Sequence, residues 1–102
     1  MANAIAFSAL AEPTRQAIVE HLAGRPMAVG ELAALLPVSR PAVSQHLKVL
    51  KDASLVRDEA KGTRRIYSID PAGLGPIRAW LDRFWDKALA SYAEAAEREE
   101  QE

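Results

Sequence analysis

Apolar residues recur in a sequence of short, differently spaced patterns. Ile5, Phe7 and Leu10 in an alanine-rich run predict a first short helix, ending near Ala11 because Pro13 disfavours helical geometry at Glu12. Pro13 suits a first helical position, and Ala17, Ile18, His21 and Leu22 follow at three- and four-residue spacing until Gly24, Arg25 and Pro26 end a second helix. Val29, Leu32, Ala33 and Leu36 form a third stripe, broken after barely two turns by Pro37 and Val38. Ser39 is a good N-cap and Pro41 is tolerated in a first turn. Val43, Leu47 and Leu50 then mark the buried side of a fourth helix running to about Ala53. Beyond Ser54 the pattern changes to β-like segments, Leu55 to Arg57 and Arg65 to Ile69, either side of a charged tip at Lys61 and Gly62. Asp70 and Pro71 close the second strand, Gly73 and Gly75 loosen the connection, and Pro76 opens a final helix to about Ala96. The charged residues 97–102 are expected to fray. The order is four helices, a hairpin and one helix.

A length of 102 residues with 49% apolar side chains suits one compact domain, 1–102. No apolar stretch approaches the roughly 20 residues of a membrane span and no signal pattern opens the chain, so a cytoplasmic protein without membrane contact is expected. The absence of cysteine excludes a disulfide framework, a thiolate metal site and a thiol redox sensor. The net charge of −1 hides an uneven distribution. Residues 39–65 carry seven basic and three acidic side chains, whereas residues 66–102 carry four basic and eight acidic ones. The middle of the chain therefore keeps a positive footprint that the total conceals.

That footprint coincides with a helix that has two distinct faces. With Val43, Leu47 and Leu50 inward, a rotation of about 100° per residue gathers Pro41, Ser44, Gln45 and Lys48 on the opposite side, with Arg40 at the amino-terminal edge. These side chains fit a recognition helix. Gln45 can pair with an adenine edge, Arg40 with guanine or phosphate, Ser44 with either, and Lys48 with phosphate. A lone polar face of this kind is also what any solvated helix presents. The following hairpin changes the balance, because Lys61, Thr63, Arg64 and Arg65 at its tip suit phosphate or minor-groove contact beside a helix in the major groove.

In three places the chain resembles the ArsR-type family of winged-helix regulators. These are Glu12-Pro13-Thr14-Arg15; Ser39 through Val43-Ser44-Gln45-His46-Leu47 with Leu50; and Gly62 through Tyr67-Ser68-Ile69. The family usually has Asp where Glu12 stands and Gly where Ser54 stands, and Ser54 would be disfavoured if the backbone there is left-handed. The resemblance implies a mainly α winged helix-turn-helix with a two-stranded wing and a C-terminal dimerisation helix. Helix-turn-helix, wing and dimer helix fall at 29–53, 55–69 and 74–96. It further implies a homodimer on double-stranded DNA bearing an inverted repeat, with repression relieved by an inducing effector whose identity the residues leave open. Many members sense metals through cysteines on the third helix or through paired Asp, His and Glu ligands on the last. Here Val29-Gly30-Glu31-Leu32 has no thiol, and no histidine accompanies Asp82, Asp86 or Glu94, so no metal switch and no cofactor are expected.

His21 and His46 read as packed or hydrogen-bonded side chains, His46 at a family motif position that can orient the recognition helix without touching a base. No nucleophile, base or carboxylate pair converges on one face, so an enzyme is not expected. On the final helix Leu74, Ile77, Leu81, Phe84 and Ala88 form one stripe and Trp85, Leu89 and Tyr92 an adjoining one, with Trp80 nearby. Together these make too broad an apolar surface for one small core, and the expected interface with a second copy comprises Ile5, Phe7, Leu10, Ile77, Trp80, Leu81, Phe84, Trp85, Ala88, Leu89 and Tyr92. Trp80, Phe84 and Trp85 could instead line a ligand pocket, and ordinary interface packing is the simpler reading. Two alternatives stand beside the dimeric repressor: a winged-helix module that binds protein, and a ligand-controlled activator.

Overall fold

The computed structural model describes residues 2–101. Helices α1 (Ala2–Leu10) and α2 (Pro13–Gly24) are followed by strand β1 (Met27–Ala28), helices α3 (Val29–Leu35) and α4 (Arg40–Asp52), strands β2 (Val56–Lys61) and β3 (Arg64–Ile69), and helix α5 (Pro71–Gln101). Glu12 starts α2 by accepting the Arg15 N–H at 2.8 Å, with Pro13 in the first turn. Ser39 does the same for α4, accepting the Ala42 N–H at 3.3 Å. At its far end α4 closes with a Schellman pair. The Ser54 N–H reaches the Lys51 carbonyl and the Leu55 N–H the Leu50 carbonyl, each at 2.9 Å. This requires a left-handed residue, and Ser54 adopts φ +60°.

Ile18, Leu32, Val43, Leu47, Leu50, Leu55 and Val56 are fully buried and form the centre of the core, with Ala6, Ala9, Leu22, Met27 and Ile77 around them. The inward positions of α4 are thus those its periodicity indicates. Beyond Ile77, every residue of α5 whose burial is described is exposed.

Three expectations change. The sheet has three antiparallel strands in the order β1-β3-β2, because Met27 and Ala28 pair with Tyr67 and Ile66. Two residues after a proline carry no periodicity to detect. β2 extends through Asp58, Glu59 and Lys61, residues of low strand preference, since pairing with β3 satisfies their backbone on one side while an edge strand tolerates charge. Finally, α5 starts at Pro71 rather than Pro76 and continues through residues 97–101. Asp70 supplies the start by accepting the Ala72 N–H at 2.9 Å, and Pro76 lies inside the helix. Gly73 is helical, and its missing side chain lets α5 pass close to the Ser54 carbonyl, where a Cβ would collide. The C-terminal turns, of good helix formers, carry an Arg98–Glu94 pair at 3.6 Å.

Candidate nucleic-acid interface

α3 and α4 meet across residues 36–39, and burial of Leu32 against Val43 and Leu47 leaves the other side of α4 in solvent. Arg40, Pro41, Ser44, Gln45 and Lys48 are all exposed. Beside them rises the hairpin. Its register pairs Lys61 with Arg64, leaving a two-residue turn in which Gly62 takes φ +65°, the positive value such turns favour. Between helix and hairpin lies a cleft of about 310 Å³ lined by Arg40, Thr63, Arg64 and Arg65 together with Ala28, Val29 and Gly30. The Arg40 guanidinium lies against α3 at Gly30, 3.6 Å from where a Cβ would stand, an ordinary contact distance. Residues 40 and 63–65, far apart in sequence, thus border one basic surface.

The cations of that surface differ in their partners. Lys48 lies 3.3 Å from Asp52 one turn along, an exposed pair of little energetic weight. Arg64 donates to Glu31 at 2.7 Å and Arg65 to Asp58 at 2.7 Å. Glu31 also accepts Arg25 at 2.8 Å and the Ala28 backbone N–H at 3.1 Å. The Ala28 N–H, then Arg25, hold its carboxyl at about 2, well below its ordinary 4.5. Asp58, with a side chain only 7% exposed, also pairs with Lys51 at 2.8 Å, and Lys51 followed by Arg65 lowers its pKa. Among the described residues, Arg40, Arg57 and Lys61 form no ion pair. Sequence reasoning singled out neither Glu31 nor Asp58 as part of this surface. The only available signal was Glu31 standing three residues after Ala28, at capping-box spacing.

His46, half-buried on α4, places Nδ1 3.3 Å from the Arg15 guanidinium and 3.8 Å from the Glu12 carboxylate. Arg15 also donates from Nε to the Ala9 carbonyl at 2.6 Å, so one side chain joins the end of α1, the start of α2 and α4. The residues assigned to a subunit interface are divided. Ile77 is buried in the core of its own chain and Leu10 is half-buried, whereas Ile5, Phe7, Trp80, Leu81, Phe84, Trp85, Ala88, Leu89 and Tyr92 are exposed. Phe7 meets Trp80 edge-on at 5.3 Å and Trp80 stacks on Phe84 at 5.6 Å, making one aromatic row across α1 and α5. Among the described residues, no three His, Asp or Glu side chains could jointly hold a metal ion, and no helix is long and apolar enough to cross a membrane.

A family model described as a helix-turn-helix domain matches residues 10–59. The chain is 63% identical to the HTH-type transcriptional regulator Rv2034 of Mycobacterium tuberculosis, over 92% of this chain and 88% of the relative. An ArsR-like transcriptional regulator from Rhodococcus sp. RHA1 superposes with a TM-score of 0.75 at 33% identity, covering 93% and 92% of the two chains. This chain belongs to the ArsR-type winged helix-turn-helix regulators. It is a DNA-binding transcriptional regulator and not an enzyme. Two further similarities bear on how such a regulator works. The transcriptional repressor SdpR of Bacillus subtilis is 35% identical over 79% of this chain and 90% of its own length. The homodimeric winged helix-turn-helix DNA-binding domain of Mb0332 from Mycobacterium bovis aligns with a TM-score of 0.67 and 29% identity, over 84% of this chain and 80% of that one.

Proposed function

We propose that this regulator is a cytoplasmic homodimeric repressor that reads an inverted-repeat operator with two copies of α4. The observation that carries the reading is the cleft that Arg40, at the amino-terminal end of the exposed face of α4, shares with Thr63, Arg64 and Arg65 of the basic wing. With α4 in a major groove, Arg40 and Gln45 reach base edges, Ser44 and Pro41 line the approach, and Lys48 faces phosphate. The wing, carrying Lys61, Thr63, Arg64 and Arg65, lies along the flanking backbone. Dimerisation through the exposed aromatic face of α1 and α5 sets the two recognition helices about one turn of DNA apart. The similarity to a named repressor and to a homodimeric DNA-binding domain supports repression and pairing.

Binding to a fluorescent fragment from upstream of its own gene, followed over a salt series, tests this. Wild type should bind the fragment well above competitor DNA. An Arg40→Ala/Gln45→Ala variant should lose at least tenfold in affinity for it, since each bidentate base contact discriminates by about 1–3 kcal/mol. A wild-type protein that prefers neither this fragment nor any DNA recovered by genome-wide selection would overturn the reading.

A further inference from the structure

The hairpin that forms the wing joins the rest of the molecule through β3, yet its two arginines next to the turn are each bound to an acid of the same chain. Arg64 and Arg65 are consecutive on β3, and consecutive strand residues point to opposite faces of the sheet. On one face Arg64 is taken by Glu31 of α3, which also holds Arg25 and the Ala28 N–H. On the other, Arg65 is taken by Asp58 of β2, diagonally across the ladder, and Asp58 in turn binds Lys51 at the end of α4. The strand is therefore gripped from both sides. One grip reaches α3 and the other reaches the recognition helix.

We propose that Glu31 and Asp58 are positioning residues for operator binding: they clamp Arg64 and Arg65 so that the wing is held at a set angle to α4. The inference rests on the DNA-reading function proposed above and adds to it a division of labour among the cations. Arg64 and Arg65 orient the wing. Arg40 and Lys61, which have no ion-pair partner among the described residues, and Lys48, whose exposed pair with Asp52 carries little weight, are the cations left to contact the DNA directly. Three observations favour a clamp over chance surface pairing. Glu31 accepts from three donors on three segments, the Asp58 side chain is almost covered, and both carboxyls have pKa values lowered by the groups they hold.

The experiment compares wild type with Glu31→Gln, Arg64→Gln, the double variant, Asp58→Asn and Arg64→Lys. The DNA probe is the fluorescent fragment that wild type binds best, measured over a salt series. Backbone ¹⁵N relaxation of residues 60–66 is recorded on the free proteins. Expected is a roughly two- to fivefold loss of affinity for Glu31→Gln and Asp58→Asn, the effect an ion pair of this kind can exert. Their salt slopes should stay at the wild-type value, and the free wing should become more mobile while the core amides do not change. Arg64→Gln should lose affinity by a similar factor with its salt slope unchanged, the double variant should bind no worse than the weaker single one, and Arg64→Lys, which keeps a cation for Glu31, should bind closer to wild type than Arg64→Gln does. The opposite result has a clear signature. If Glu31→Gln binds more tightly and Arg64→Gln lowers the salt slope by about 0.9, Arg64 is a phosphate ligand that Glu31 merely competes for, and the clamp is wrong. Unchanged affinity or an unchanged wing in Glu31→Gln overturns it equally. A wild-type protein that selects no DNA at all sinks the underlying reading instead, and relaxation of the free wing tells the two failures apart.

Discussion

Glu31 shows how a single side chain can carry more structure than its position in the sequence suggests. Its carboxyl falls from the ordinary 4.5 to about 2, chiefly through the Ala28 N–H and then through Arg25. Between those two pH values the unfolded chain binds a proton that the folded chain refuses, so this contribution to stability is complete above about 4.5 and is lost as the pH falls toward 2. Thermal melts followed by circular dichroism should therefore show a shallower acid decline for Glu31→Gln than for wild type across that window. Parallel curves would mean that the carboxylate is not held. The outward residues of α4 were legible, because helical spacing alone puts Ser44, Gln45 and Lys48 opposite Val43, Leu47 and Leu50. The role of Glu31 was not. Arg64 lies 33 positions away in the chain, and no local pattern brings the two together.

At the scale of elements, the junction between α4 and β2 decides how the wing leaves the recognition helix. The Schellman closure puts Ser54 at φ +60°, while Leu55 and Val56 beyond it are driven into the core. A left-handed conformation costs an L-residue about 1–2 kcal/mol, and glycine avoids it while giving back roughly 0.5–1 kcal/mol of backbone entropy. Ser54→Gly should thus stabilise the protein by about 0.5–1 kcal/mol in urea unfolding with an unchanged m-value. A loss of stability instead would show that the serine side chain contributes something the backbone argument omits. Sequence reasoning marked this position through its resemblance to a family with glycine there. It misplaced the start of α5 for a related reason. Asp70-Pro71 serves equally as the end of a strand or as the cap and first residue of a helix, and glycines at 73 and 75 read as a loop. Only the approach of α5 to the Ser54 carbonyl explains why a glycine sits inside a helix at position 73.

The whole molecule is far from spherical. Its extents are 67 × 26 × 22 Å with a radius of gyration of 18.3 Å, against about 13 Å for a compact chain of this size. The difference is α5, whose 31 residues span roughly 46 Å at 1.5 Å per residue and reach well beyond the core. Trp85 is 62% exposed, Leu89 51% and Tyr92 76%, side chains that a lone protomer would leave in water. On the dimer proposed here they are covered by a second copy. Sedimentation should accordingly show wild type as a dimer at micromolar concentration. Trp85→Glu/Leu89→Glu should weaken pairing at least a hundredfold, since burial of each such side chain contributes about 1.5–3 kcal/mol. Operator affinity should fall with it, because one recognition helix binds weakly. A monomeric wild type that nonetheless binds its operator tightly would remove dimerisation from the mechanism.

What the amino-acid order determined by itself is whatever depends on near neighbours. The helical stripes, the cap at Ser39, the wing turn at Gly62, the inward and outward faces of α4 and the charge concentrated between residues 39 and 65 all follow from spacings of a few residues. What only the tertiary structure decided involves groups far apart in the chain. These are the two-residue β1 added to the edge of β3, Ile77 drawn into the core of its own protomer, Arg40 set beside Thr63, Arg64 and Arg65, and the wing arginines taken up by Glu31 and Asp58. The physical reason is that periodicity and capping are set within a turn or two of backbone. Which acid meets which arginine depends on how the helices and the sheet pack, and burial of Leu32, Val43, Leu47 and Val56 in one core settles that packing.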